Sequence, residues 1–157
     1  MKKETLDSLT QLLDGSLFEG ILARELNRSK RYDSPISLLI LEAQICEEAC
    51  EEMKTAVLKE MAKMIKNKSR TVDIAFRKDE RLIIIFPETF VDGALKAAVK
   101  FREKAESHAY PGSKKYPNFW IKIRGGIACF PTCGDTAESL TASALKNMEV
   151  PWEEKSF

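Results

Sequence analysis

Apolar positions along this chain fall into blocks of two different periods. Residues 4–13 place Leu6, Leu9, Leu12 and Leu13 at helical spacing, and Asp14-Gly15-Ser16 interrupts them. Ser16, with Glu19 three residues on, reads as the capping box of a second helix. That helix shows Leu17, Phe18, Ile21, Leu22 and Leu26 on one face and ends near Arg31, ahead of Asp33-Ser34-Pro35. Ile36 to Ala43 then forms the continuous apolar run of a strand covered on both faces, with Glu42 near its end as the exception. A helix over 47–67 follows. It carries Glu47, Glu48, Glu51 and Glu52 at its start and Lys63 and Lys66 in its last turn, which suits the helix dipole.

The second half alternates shorter blocks. Val72 to Phe76 and Leu82 to Phe86 are strands around a charged turn, Arg77-Lys78-Asp79-Glu80-Arg81. Residues 90–107 form an amphipathic helix with Ala94, Ala97, Ala98 and Phe101 inward. Tyr110 to Asn118 is a loop, Phe119 to Phe130 a strand, and Asp135 or Thr136 caps a last helix through Met148. Pro151 to Phe157 reads as a loose tail.

After the two leading helices the order is β-α-β-β-α-β-α. Right-handed crossovers turn that order into a ferredoxin-like α+β fold, an antiparallel sheet in spatial order 4-1-3-2. The order has a functional consequence. Glu42, at the end of the first strand, lies beside the turn carrying Asp79 and Glu80, at one edge of the sheet. Arg70 to Asp73 lie at the opposite edge.

Composition narrows the function classes. A chain of 157 residues, 44% apolar and 31% charged, fits a single domain over 1–157, with a core at about 7–148 and a tail over 149–157. The net charge of +1 provides no general attraction for a nucleic-acid polymer. No apolar run approaches the ~18 residues of a membrane span, and Met1 to Asp14 lacks a signal-peptide core, so a cytoplasmic location with reduced thiols and no membrane insertion is expected. The four cysteines form two C-x3-C pairs, Cys46/Cys50 and Cys129/Cys133. They read either as a four-thiolate zinc site or as ordinary thiols. The topology favours thiols, because it sends the pairs to opposite edges of the sheet. The single His108 has no nucleophile nearby in sequence to activate.

Several segments, in order, resemble the GGDEF family of bacterial diguanylate cyclases, which join two GTP into cyclic di-GMP. Asp7-Ser8-Leu9-Thr10-Gln11-Leu12-Leu13-Asp14 is similar to the family's D-x-L-T-G-L-x-N opening. Pro35-Ile36-Ser37-Leu38-Leu39-Ile40-Leu41, Arg70-Thr71-Val72-Asp73, Ile83-Ile84-Ile85-Phe86-Pro87 and Arg124-Gly125-Gly126-Ile127-Ala128 continue the resemblance to about Met148. It implies a nucleotide-cyclase palm and a place in signal transduction.

The departures concern chemistry. Where the family has D-x-D after the first strand, this chain has Glu42-Ala43-Gln44. Where the family has R-Y-G-G-(D/E)-E-F, it has Arg77-Lys78-Asp79-Glu80-Arg81-Leu82, one residue shorter. Both glycines, which let the backbone approach GTP, are gone. Arg81 brings a positive charge where the cyclase reaction needs carboxylates holding Mg²⁺. The expectation is therefore a domain without cyclase activity that requires no cofactor, with Mg²⁺ entering only if GTP binds. Glu42 and Glu80 either share one divalent metal ion or are two solvated glutamates.

The resemblance also implies an R-x-x-D site for cyclic di-GMP. Arg70 and Asp73 fall in its register, with Lys100 near the position of an assisting base and Arg102 close by. An arginine fork grips phosphate and stacks on guanine, and a carboxylate accepts from the guanine N–H edge. The same pair also reads as a salt bridge at a strand entrance. The alternatives to a receptor are a protein-interaction or homodimer module using residues 4–31, and a GTP-binding regulatory domain.

Overall fold

The structure, a computed structural model, describes residues 5–112 and 117–157; the middle of the expected 110–118 loop and the first residue of the expected 4–13 helix lie outside the described residues. In chain order the elements are β1 (Leu13–Asp14), α1 (Phe18–Tyr32), β2 (Ile36–Gln44), α2 (Glu51–Lys68), β3 (Ile74–Lys78), β4 (Arg81–Pro87), α3 (Val91–Ser107), β5 (Tyr110–Pro111), β6 (Asn118–Phe119), β7 (Lys122–Phe130) and α4 (Ala137–Met148). Short 3-10 turns cover Gly15–Leu17 and Trp152–Glu154.

The main sheet runs β1-β3-β4-β2-β7, so its four long strands keep the expected 4-1-3-2 order. β2 is central and antiparallel to both neighbours, with Leu39 opposite Ile84 on one side and Ile127 on the other. β1 pairs parallel with β3, a strand the apolar spacing did not announce. β5 and β6 form a separate two-stranded ribbon.

Alternation along the strands divides the core between two faces. Leu39, Leu41, Leu82, Ile84 and Phe86 pack with Val57, Met61 and Ile65 of α2 and with Ala94 and Ala98 of α3. Leu38, Ile40, Ile83 and Ile85 pack with Leu22 and Leu26 of α1 and with Leu140 and Ala144 of α4. Gly126 lets α4 lie directly on β7, because a Cβ there would sit 1.9 Å from the Ala144 carbonyl oxygen. α4 starts on a reciprocal cap: Thr136 Oγ1 accepts from Ser139 N and Ser139 Oγ accepts from Thr136 N, both at 3.0 Å.

Six expectations about local structure are corrected. Residues 5–12 are not a helix. Asp7 Oδ2 accepts from Thr10 N at 2.8 Å and from Thr10 Oγ1 at 2.7 Å, closing a turn that competes with helix. Ser16 does not cap α1; Asp14 Oδ1 accepts from Ser16 N at 2.9 Å and starts the 3-10 turn that leads into it. α2 begins at Glu51 rather than at 47. The charged turn tightens to Asp79-Glu80, with Lys78 paired to Arg81 and Asp79 left-handed at φ 55°. The last strand is interrupted at Trp120-Ile121, and 149–157 is docked rather than loose.

The docking is specific. Trp152 Nε1 donates to Ile123 O at 3.0 Å, and its ring covers Gly125, where a Cβ would meet it at 2.4 Å. Lys155 Nζ donates to Asn147 O at 2.6 Å and Val150 O at 2.7 Å, and lies 5.1 Å from the Trp152 ring centroid. Two further side chains reach β7 from the flanking helices. Glu106 Oε2 accepts from Ile123 N at 2.8 Å, and Asn147 Oδ1 accepts from Ile127 N at 2.9 Å. No helix among the described residues is long and apolar enough to cross a membrane.

Candidate functional site

At the C-terminal end of β2, register decides what surrounds Glu42. Its cross-strand partners are Arg81 on β4 and Arg124 on β7. Arg81 Nε lies 3.8 Å from Glu42 Oε1 and Arg124 Nη1 lies 3.3 Å from Oε2; Arg124 also pairs with Glu149. One carboxylate is thus flanked by two guanidiniums. Glu80, expected beside Glu42, sits exposed in the turn and makes no ion pair or hydrogen bond among the described residues. Arg81 takes the place next to Glu42 instead. Among the described residues no group of three or more His, Cys, Asp or Glu is arranged to hold a metal.

The turn is fastened from below. Arg77 Nη1 meets Asp7 Oδ1 at 3.0 Å, and Arg77 Nε donates to Asp79 O at 2.7 Å. Burial alone raises the Asp7 carboxyl pKa, but hydrogen bonds from Thr10 and Arg77 outweigh it and hold the group below its ordinary value. Sequence reasoning placed Asp7 and Arg77 in separate motifs and missed their contact across 70 residues. Arg124 was missed as a partner of Glu42 for the same reason.

At the opposite edge Arg70 and Asp73 are bound to each other. Asp73 Oδ2 accepts from Arg70 N at 2.9 Å, and Oδ1 accepts from Arg70 Nη2 at 3.0 Å and Nε at 3.3 Å. Arg70 Nη2 also donates to Thr89 Oγ1 at 2.6 Å and Pro87 O at 3.2 Å. The Asp73 side chain is 4% exposed and that of Arg70 is 54% exposed. Asp73 is therefore covered by the arginine it orients. Nη1 of Arg70 makes no hydrogen bond among the described residues, and the guanidinium faces solvent.

Arg70 stands where two clefts meet. One, of about 540 Å³, lies between the leading segment, α1 and α2 and is lined by Arg24, Lys66, Arg70 and Asp73 among others. The second, of about 770 Å³, opens between α2 and α3 and brings Lys100 to the same cavity as Arg70 and Asp73. Arg24 and Lys66 gave no signal in sequence, since their cleft exists only once α1 and α2 pack beside β1 and β3. Arg102 turns away to Glu106, Glu153 and the Trp152 ring.

All four cysteines are free, with Cys46 and Cys50 exposed. Burial pushes the Cys129 thiol pKa up. Thr132 Oγ1 lies 2.9 Å from Cys129 Sγ and 3.9 Å from Cys133 Sγ. His108, half-buried, packs edge-on against the buried Tyr110 at 4.7 Å.

An antiparallel sheet with β2 at its centre, a tight hairpin beside it and helices on both faces is the palm of the nucleotide cyclases. Residues 4–154 match the family model described as "Diguanylate cyclase, GGDEF domain", and the chain belongs to that family. The match runs past the expected core limit of Met148 and takes in the Trp152 turn. Among solved structures, the GGDEF domain of YfiN (TpbB) from Pseudomonas aeruginosa is similar at TM-score 0.84 and 22% identity, over 96% of this chain and 90% of that one. The DgcB GGDEF domain from Caulobacter crescentus, solved with c-di-GMP, is similar at TM-score 0.84 and 18% identity, over 94% and 88%. The FimX GGDEF domain from Pseudomonas aeruginosa gives TM-score 0.84 and 13% identity over 98% and 97%. Comparison with curated proteins gives no match.

Proposed function

We propose that this chain is a GGDEF domain without cyclase chemistry that receives cyclic di-GMP at the Arg70 edge. The observation that carries the reading is the half-exposed Arg70 guanidinium, fixed by Asp73, Thr89 and Pro87 at the meeting of two clefts bearing Arg24, Lys66 and Lys100. A fixed guanidinium stacks on a guanine and grips phosphate with little ordering cost. Lys66 and Lys100 are point charges suited to the second phosphate. Asp73 acts here by holding Arg70 in place, rather than as the acceptor for a guanine edge that the motif implied. A solved relative, the DgcB domain, carries c-di-GMP.

Loss of cyclase chemistry is supported at the other edge. Mg²⁺ takes oxygen ligands at about 2.0–2.1 Å in near-octahedral geometry. The Glu42 carboxylate is already neutralised by Arg81 and Arg124, and Gln44 stands where a second acid would help. These residues do not fit a catalytic Mg²⁺ pair.

The test is calorimetric titration with cyclic di-GMP, beside Arg70→Ala, with GTP turnover assayed in Mg²⁺ and Mn²⁺. The reading expects binding that weakens by at least about tenfold in the variant, equivalent to ~1.4 kcal/mol, and no dinucleotide product. Binding indifferent to Arg70 overturns this site, and no heat at all overturns the receptor and leaves a protein-contact role. Product formation overturns the loss of catalysis.

A further inference from the structure

The cleft between α2 and α3 has two chemically distinct zones. Its floor is hydrocarbon: Leu39, Ile84 and Phe86 from the sheet, Met64 and Ile65 from α2, and Phe101 from α3. Small residues on α3, Gly93 and Ala97, line the cleft beside this floor. Its rim is cationic, with Lys68, Arg70, Lys96, Lys100 and Lys104 against two carboxylates, Asp73 and Glu103. Asp73 is spent on Arg70. Among the described residues no carboxylate lies within 4.0 Å of any of the four lysine Nζ atoms.

The lining hydroxyls offer little to a polar guest. Ser69 Oγ donates to Ile65 O at 2.6 Å, Thr89 Oγ1 to Pro87 O at 2.8 Å and Ser107 Oγ to Lys104 O at 3.2 Å. A nucleobase pushed into this floor would bury donors and acceptors without partners, an uncompensated desolvation cost. A hydrocarbon chain meets no such cost. Each CH₂ it buries adds to the binding. The volume of about 770 Å³ falls within the ~300–1,000 Å³ of small-molecule sites.

We infer that this cleft binds a single-chain amphiphilic anion, its acyl tail on the Leu39–Ile84–Phe86 floor and its carboxylate or phosphate head among Lys96, Lys100 and Lys104. The site shares Lys100 and the Arg70 rim with the nucleotide reading, but its tests at Ala97, Lys96 and Lys104 use residues that reading does not. Long lysine stems suit the rim: their methylenes extend the apolar wall while the ammonium groups stay in water near the head.

The probe is dansyl-undecanoate, added to the purified chain. Its emission should rise and shift to shorter wavelength, and palmitate or dodecyl phosphate should displace it. The stronger of the two identifies the head group as carboxylate or phosphate. Dodecyltrimethylammonium should displace it at least tenfold less well. Ala97→Trp fills the cleft and should weaken probe binding at least tenfold, with circular dichroism melting to show the fold intact. Lys96→Ala with Lys104→Ala should weaken binding several-fold and narrow the margin over the cationic competitor. Should Ala97→Trp not fold, the lysine pair carries the test alone. Absent emission change, equal displacement by the cationic amphiphile, or a folded Ala97→Trp that binds as the parent does would each overturn the inference.

Discussion

Asp7 carries more of the local structure than its place near the start of the chain suggests. One carboxylate closes the turn through Thr10 and anchors β3 through Arg77. Its pKa lies below the ordinary 3.8 in the folded chain, so the folded state binds the proton less tightly than the unfolded one. The stability it contributes is therefore fully present above about pH 4 and is lost as pH falls through the folded pKa. Asp7→Asn should lower the melting temperature at neutral pH by an amount worth on the order of 1 kcal/mol, and the gap to the parent should close towards pH 2. A gap that persists unchanged in acid would show that the charge is not what matters. Residue identities in the motifs were legible in sequence; this contact was not, because nothing local couples residue 7 to residue 77.

At the scale of elements, legibility followed how strongly tertiary contacts overrode local pattern. The apolar run of β2 and the helical stripe of α1 have one good burial solution each, and both were read correctly. Leu6, Leu9, Leu12 and Leu13 keep helical spacing, yet Leu13 pairs with Phe76 in the sheet. The Asp7 turn supplies the alternative, and propensity is too weak to resist it. The 149–157 segment has no periodicity, and its docking rests on the Trp152 indole over Gly125 and on Lys155 bonded to the Asn147 and Val150 carbonyls. Burial and nearby Arg124 push the Lys155 pKa down from 10.5 to about 8. Between those values the unfolded tail binds more protons than the docked one, so docking should strengthen as pH rises from about 8 towards 10.5. Acrylamide quenching of Trp152, measured in a Trp120→Phe background, should fall across that window. In Lys155→Met the curve should be flat; an unchanged curve would assign the effect elsewhere.

Across the whole molecule the two sheet edges carry opposite electrostatic arrangements. Glu42 is saturated by arginines at one edge, and basic side chains converge with few acids at the other. A net charge of +1 conceals this division completely. Sheet order made the division legible in outline, since it sent Glu42 and Arg70 to opposite edges. The clefts themselves were not legible, because they are spaces between helices whose packing no linear pattern specifies.

The hydrogen bonds on the outer side of β7 bear on behaviour at high concentration. β7 is nine residues long and pairs with β2 alone in the sheet, which exposes a row of backbone donors and acceptors that another chain's strand would complete. Glu106 occupies the outward N–H of Ile123, Trp152 its carbonyl, Asn147 the outward N–H of Ile127, and Cys133 N the carbonyl of Cys129 at 2.7 Å. The row is plugged by groups from α3, α4, the loop before α4 and the docked tail. Asn147→Ala combined with Trp152→Ala should reopen it, and light scattering on mild warming should then show aggregation well before the parent chain clouds. Equal onset for both would place the protection in the charges of Lys122 and Arg124 instead. On this account the last turn of the chain keeps molecules apart as well as keeping one molecule folded.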